Sequence, residues 1–372
     1  MHRSLPGLAA DLEIRAETLM AALPESVDGP LAERMRDLRP RVGLLLEETR
    51  VLQRSSLADP GEAQSNLRAF QMISRELRLI EQHDAPFVTR FSDADRALTL
   101  FSWAFLANIG WPFTRPLVAT FSHEYYWVLP RQALIGVPVN EDQRLLGLVD
   151  LCHELGHIAF LADAAAFHGN VLSEVKAWAV SHRRSRDPTS TFDDTFLADV
   201  VTSWRLWLQE FVCDAIATYL VGPAYGWQHL RLTCVEGDHA MMHQVPLDGE
   251  EHPADEARMR VILATLALLN DAAQADAIRS HWLGLAAFAD PPEPGYEVAY
   301  PDALLSAVAE TVIMACEEKG LRRYGLASDS CDLAVVANEA WRRLRADPSS
   351  YKDWERMTIR QCLEAPAVPA TP

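Results

Sequence analysis

Apolar residues recur at three- and four-residue spacing over most of this chain, which is the period of helices with one buried face. Leu8, Leu12, Leu19 and Leu23 mark a first such segment. Residues 31–54 predict a second, with Leu44, Leu45, Leu46, Val51 and Leu52 apolar, and residues 62–82 a third. Asp59-Pro60-Gly61 reads as a turn between them. Ser92-Asp93-Ala94-Asp95 has the composition of an N-cap and opens a helix through Ala107. The pattern then changes. Residues 116–139 are rich in Tyr, Trp, Val and Ile and predict short strands over 117–121, 125–129 and 133–139. Asn140 is read as the cap of a helix over 141–162.

Residues 163–192 read as an insertion with one amphipathic helix (171–182) and a polar turn, Arg186-Asp187-Pro188-Thr189. A long helix is predicted over 193–221, ended by Gly222-Pro223. Residues 237–253 are polar and His-rich, an irregular segment. Helices are predicted again over 254–272, 275–288, 301–319, 331–345 and 351–363, and the tail 365–372 reads as disordered. The expected organisation is an N-terminal helical region (1–115), a core (116–290) and a C-terminal helical region with the tail (291–372).

Composition fits a folded protein: of 372 residues, 49% are hydrophobic and 23% charged. The net charge of −18 argues against nucleic acid as a partner, because that binding needs a basic surface to displace counterions. It argues equally against docking on an anionic membrane. The longest uncharged stretch, between Arg96 and Arg115, contains Asn108, Gly110 and Pro112, so a buried helix and turn are expected there and no membrane span. Asp11, Glu13 and Arg15 interrupt any signal-peptide core. The six cysteines form no CxxC pair, and Cys152 and Cys213 lie in apolar helical patterns, so a reducing cytoplasm is the expected location.

The chemistry concentrates in Leu151-Cys152-His153-Glu154-Leu155-Gly156-His157, an HExxH motif. On a helix, positions i and i+4 share a face, so His153 and His157 can point at one ion, and neutral imidazole nitrogen is a good zinc ligand. Glu154, directly after the first ligand, can take a proton from a water that the metal activates. A third protein ligand is needed. Asp163 follows His157 at the spacing of the HExxHxxGxxH/D pattern, but Phe160 stands where that pattern requires a glycine to turn the chain. Glu210 and Asp214 lie on the long predicted helix, again at i and i+4. One carboxylate can bind the metal while the other accepts a ring N–H from a ligand histidine and fixes its tautomer.

HExxH followed by ExxxD on a second helix resembles the gluzincin zinc metallopeptidases. The closest likeness is to the HtpX-like and CAAX-prenyl-protease-like branch. An expected edge strand, Ala133-Leu134-Ile135-Gly136-Val137-Pro138-Val139, precedes the motif helix. His252-Pro253-Ala254-Asp255-Glu256-Ala257-Arg258 is similar to that branch's HPxxxxR segment. The resemblance covers roughly residues 125–262 and leaves out the membrane-spanning helices of several members.

It implies an α+β, predominantly helical fold: a zincin-like core with a small mixed sheet and added N- and C-terminal helices. It also implies one Zn2+ per chain on His153, His157 and Glu210, Glu154 as general base and Asp214 behind a ligand histidine. An extended protein or peptide substrate would add to the strand at 133–139. For the donor that stabilises the oxyanion, His239, His243, His252, Arg258, Tyr219 and Tyr225 are candidates, with His252 and Arg258 first. Three other readings stay open. One is a non-catalytic module with the same fold that binds a protein. Another is a zinc amidase acting on a non-protein substrate. The third is a latent peptidase whose insertion or 237–253 segment covers the site until a regulatory protein binds.

Overall fold

A computed structural model describes residues 5–25, 27–54, 60–122, 125–185, 193–236, 243–247, 249–326 and 329–363. The expected turn at 186–189, the disordered tail at 365–372 and candidate His239 lie outside them. The architecture is predominantly helical with three short strands, which agrees with an α+β class. The chain forms two compact units, residues 1–100 with 117–121, and residues 101–116 with 122–372.

The first unit holds α1 (Leu5–Ala22), α2 (Pro30–Arg54), α3 (Pro60–Leu79), a π-helical turn (Ile80–Asp84), α4 (Ala85–Arg90) and the start of α5 (Asp93–Ile109). Leu12, Ala16 and Leu19 from α1, with Leu23 just after it, are buried, as are Met35, Leu38, Val42, Leu45 and Leu52 from α2. Leu12, Leu19, Leu23, Leu45 and Leu52 are among the repeats read from the sequence, whereas Leu8, Leu44 and Val51 are exposed. Ser92 and Asp95 form a reciprocal cap on α5. The Ser92 N–H donates to Asp95 Oδ2 at 2.7 Å, and the Asp95 N–H donates to Ser92 Oγ at 3.2 Å.

The strands are β1 (Leu117–Ser122), β2 (Trp127–Leu129) and β3 (Leu134–Pro138). In the second unit β2 and β3 pair antiparallel, with Trp127 opposite Gly136 and Leu129 opposite Leu134. Gly136 is required there, because a Cβ would collide with the Trp127 indole.

The helix expected over 141–162 is two 3-10 turns, Glu141–Gln143 and Gly147–Val149, followed by α6 (Asp150–Ala162). The buried Glu141 carboxylate occupies the place where a Cβ on Gly147 would stand, so the segment folds around that acid rather than coiling continuously.

After α6 come α7 (Ala164–His168), α8 (Val171–Ser185) and α9 (Asp194–Val221). The Asp193 side chain accepts from the N–H groups of Thr195 and Phe196, so α9 begins where its acidic cap predicts. Gly222 at φ +65° ends α9, as expected. The following Pro223 is the first residue of α10 (Pro223–Glu236), a helix the sequence reading omitted. Proline at the first helical position costs no hydrogen bond, so Gly-Pro here separates two helices instead of opening a loop.

The remaining helices are α11 (Asp255–Leu268), α12 (Ala272–Ala286), α13 (Tyr296–Ala299), α14 (Asp302–Glu318), α15 (Leu333–Ala346) and α16 (Pro348–Cys362). All belong to the second unit, so no unit boundary falls near 290. Tyr296–Glu318 is the one stretch among the described residues that is long and apolar enough to cross a membrane. Its Leu304, Leu305, Val308 and Val312 are buried, and α14 packs on α9 and α11.

Cys331 and Cys362 form a disulfide with Cα atoms 5.2 Å apart, closing the α15–α16 hairpin. This differs from the free thiols that a reducing cytoplasm would give. Across a separation of 31 residues, reduction or Cys331→Ser should cost about 2–4 kcal/mol of stability. Chemical denaturation with and without reductant measures it.

Candidate metal centre

Helix α6 turns Asp150, His153, Glu154 and His157 to one side, the i, i+3, i+4, i+7 face, and that face lines a cavity of about 650 Å³. The opposite face carries Leu151, Cys152, Leu155 and Ile158 into the core. Helix α9 packs directly on α6. A Cβ on Gly156 would lie 2.7 Å from the Cys213 Cα, so the glycine sets how closely the two helices approach. Gly156→Ala should force them apart, costing about 1–3 kcal/mol and lowering metal affinity about tenfold or more. Thermal unfolding and competition against a metal chelator are the checks.

This approach brings Glu210 over the two histidines. Its Oε2 is 3.3 Å from His153 Nε2, and its Oε1 is 3.5 Å from His157 Nε2. Bonds of about 2.0–2.1 Å in a tetrahedral zinc site place ligand atoms about 3.3–3.4 Å apart, so both separations suit one ion between the three groups. Glu210 Oε2 is also buried without a hydrogen-bond partner. His153, His157 and Cys213 place ligand atoms within 4.8 Å of one another, a cluster that could itself hold a metal ion. Glu210 and Cys213, both beside the histidines, differ in charge state. The Glu210 carboxyl is held well below the usual range, against burial, by the adjacent His153 and His252 rings and by nearby positive charge. Burial instead keeps Cys213 a neutral thiol, pushing it well above its ordinary value.

Behind the histidines, Asp214 is fully buried, with Oδ1 3.0 Å from His153 Nδ1. Arg258 grips it with two bonds, Nε to Oδ2 and a terminal nitrogen to Oδ1, both 2.8 Å. The Tyr225 hydroxyl donates to Oδ1 at 2.6 Å. Burial opposes the Asp214 charge, but the Arg258 guanidinium overcomes it and holds the acid ionised. A permanent carboxylate at Nδ1 keeps a proton on that nitrogen, so Nε2, facing Glu210, is the ring atom that would give up its proton to a metal. His157 has a corresponding partner that the sequence reading missed: the Gln209 side-chain amide lies 2.7 Å from its Nδ1. The structure sets the amide nitrogen there; turned over, the amide would present its oxygen, accept a ring proton and leave Nε2 free.

Burial works against charge on His153, yet hydrogen bonds to Asp214 and Glu210 raise it to about 10. Burial and the neighbouring charged His153 lower His157 to about 4. Burial raises Glu154 to about 7, with Glu210 and Asp150 adding to the shift and His153 and Arg258 opposing it. A carboxylate poised there suits a general base at neutral pH.

The other expected residues are distributed differently. Asp163 ends α6, caps α7 and pairs with Lys319, and it lies outside the cavity. The departure comes from this cap rather than from a continued helix. Arg258 lines the cavity, but its guanidinium is engaged by Asp214 and lies 3.7 Å from Glu210, so it balances buried charge instead of offering free N–H groups. His252 also lines the cavity and is mostly exposed, with Nδ1 3.4 Å from Glu210. The Tyr219 hydroxyl is spent on the Leu321 carbonyl and His243 binds the Asp290 carbonyl, both away from the cavity. The expected edge strand at 133–139 does not line it either. β3 is buried, and Tyr126, Trp127 and Val128 in and beside β2 form that wall.

No protein-family model, no curated protein and no solved structure matches this chain.

Proposed function

We propose that the chain is a zinc-dependent peptidase of the gluzincin type, with His153, His157 and Glu210 as ligands. The observation that carries the reading is the convergence of two imidazole Nε2 atoms on the buried Glu210 carboxylate, at 3.3 and 3.5 Å. Zinc held there would supply Lewis-acid activation of a water and of the scissile carbonyl.

The chain's own groups do the rest. Glu154, next to the first ligand and nearly enclosed, accepts the proton of the attacking water and returns it to the leaving amine. Asp214 and Gln209 hold the two ligand rings in place. Arg258 keeps Asp214 ionised. His252, at the cavity rim and not tied into the core, is the side chain free to donate to the oxyanion. An extended peptide would lie along β2, the strand that borders the cavity, and not along β3.

A second reading rests on Cys213. If His153, His157 and Cys213 bind the ion together with Glu210, the site is closed and structural, and the protein is a binding module. Metal analysis of purified wild type, Glu210→Ala and Cys213→Ser separates the two. The peptidase reading expects about one zinc per chain in wild type and Cys213→Ser and a large loss in Glu210→Ala. Loss in Cys213→Ser would favour the closed site. Wild type that takes up no zinc when zinc is supplied would end the peptidase reading.

A further inference from the structure

Asp150 has no part in the chemistry described above, yet it faces the same cavity. It sits on the cavity face of α6 three residues before His153, about 4.5 Å along the helix axis. It is only 5% exposed. The groups that hold it are neutral. The Tyr125 hydroxyl donates to Oδ2, and the Gln228 amide donates to the same oxygen at 2.6 Å and to the Tyr125 oxygen at 3.1 Å. Arg231 is one bond further back, donating to Gln228 Oε1 at 3.0 Å, and does not line the cavity.

The cavity's own arginine, Arg258, is committed to Asp214. The His153 ring is engaged by Asp214 and Glu210. Asp150 is therefore a desolvated carboxyl fixed in position by hydrogen bonds but given no countercharge, and burial pushes it up to about 7. Tyr126 lines the same cavity, with its buried hydroxyl turned to the Glu141 carboxylate and away from Asp150's hydrogen-bonding partners. A buried acid in this setting gains most from a ligand that brings both a positive charge and hydrogen-bond donors.

We propose that Asp150, fixed by Tyr125 and Gln228, forms a subsite for a cationic nitrogen of the substrate, from a lysine or arginine side chain or a free α-amino group, beside the bond presented to Glu154. The proposal rests on the peptidase reading for the position of that bond. The site thus selects substrate by charge at one residue while β2 accepts the rest of the backbone without regard to sequence.

Binding tests this apart from catalysis. Fluorescent N-acetylated peptides carrying lysine, arginine, norleucine or citrulline at one position in turn are titrated against the Glu154→Gln protein. A peptide with a free α-amine and no basic side chain joins the set. Lysine and arginine peptides should bind about tenfold tighter than their norleucine and citrulline counterparts, and Asp150→Asn in the same background should bring them within about twofold. An advantage confined to the free-amine peptide would assign the subsite to the α-amino group. Equal binding of charged and neutral peptides to the Glu154→Gln protein overturns the proposal without recourse to any variant at 150, and so does an advantage that survives Asp150→Asn. Wild type that binds with the charge preference but cuts none of the peptides would remove the peptidase reading and keep the subsite. Cutting with no charge preference would do the reverse.

Discussion

On the proposed peptidase reading, Glu154→Gln should lower peptide-bond cleavage by about 100- to 10,000-fold in kcat while leaving metal content unchanged. The substitution keeps the side chain's shape and its hydrogen-bonding oxygen but removes the ability to take a proton. Glu154 lines the same cavity as the proposed ligands and is not among the clustered His153, His157 and Cys213. Retained metal with lost turnover therefore separates its role from that of the ligands. Steady-state kinetics together with elemental analysis of the same preparation makes the comparison. Turnover close to wild type would show that another group takes the proton.

Arg258→Met should destabilise the protein by about 3–5 kcal/mol, because it strands a fully buried carboxylate. Asp214 would keep only the Tyr225 hydroxyl and the His153 ring as donors. Arg258→Lys should recover only part of the loss, since an ammonium cannot reproduce the paired bonds to Oδ1 and Oδ2. Replacing Arg258 and Asp214 together with apolar residues of similar volume should be much less costly than the sum of the single changes. Urea unfolding of the four proteins gives the coupling. Additive losses would mean that the pair is not a unit and that Arg258 matters chiefly through its 3.7 Å approach to Glu210.

What could be read from the sequence was local. The i, i+4 spacings place His153 with His157 and Glu210 with Asp214; α6 and α9 carry His153, His157 and Glu210 into the cavity lining, with Asp214 buried behind them. The α5 cap at Ser92 followed from residue type alone. What could not be read depends on contacts between distant segments. Gln209 looks like any polar residue on a helix, and only the crossing of α6 and α9 puts it against His157. Arg258 was selected by a motif likeness, but its partner is set by how α11 packs on α9. Tyr125, Asp150 and Gln228 come from three separate segments with no shared pattern. Cys331 and Cys362 meet because two helices fold back on each other. The break at 141–149 depends on where the Glu141 side chain is buried, which no propensity encodes.

The close crossing of α6 and α9 at Gly156 also bears on how the centre comes into being. In the unfolded chain only His153 and His157 are neighbours, and an isolated i, i+4 pair on a fraying turn is a weak chelator. Glu210 joins them only after the intervening residues are looped out, and Arg258 only after α11 has docked. A centre built from such distant contacts belongs to the slow, non-local part of folding. Its grip on an ion should therefore appear late along the folding route and vanish early on the way back, as soon as that crossing opens.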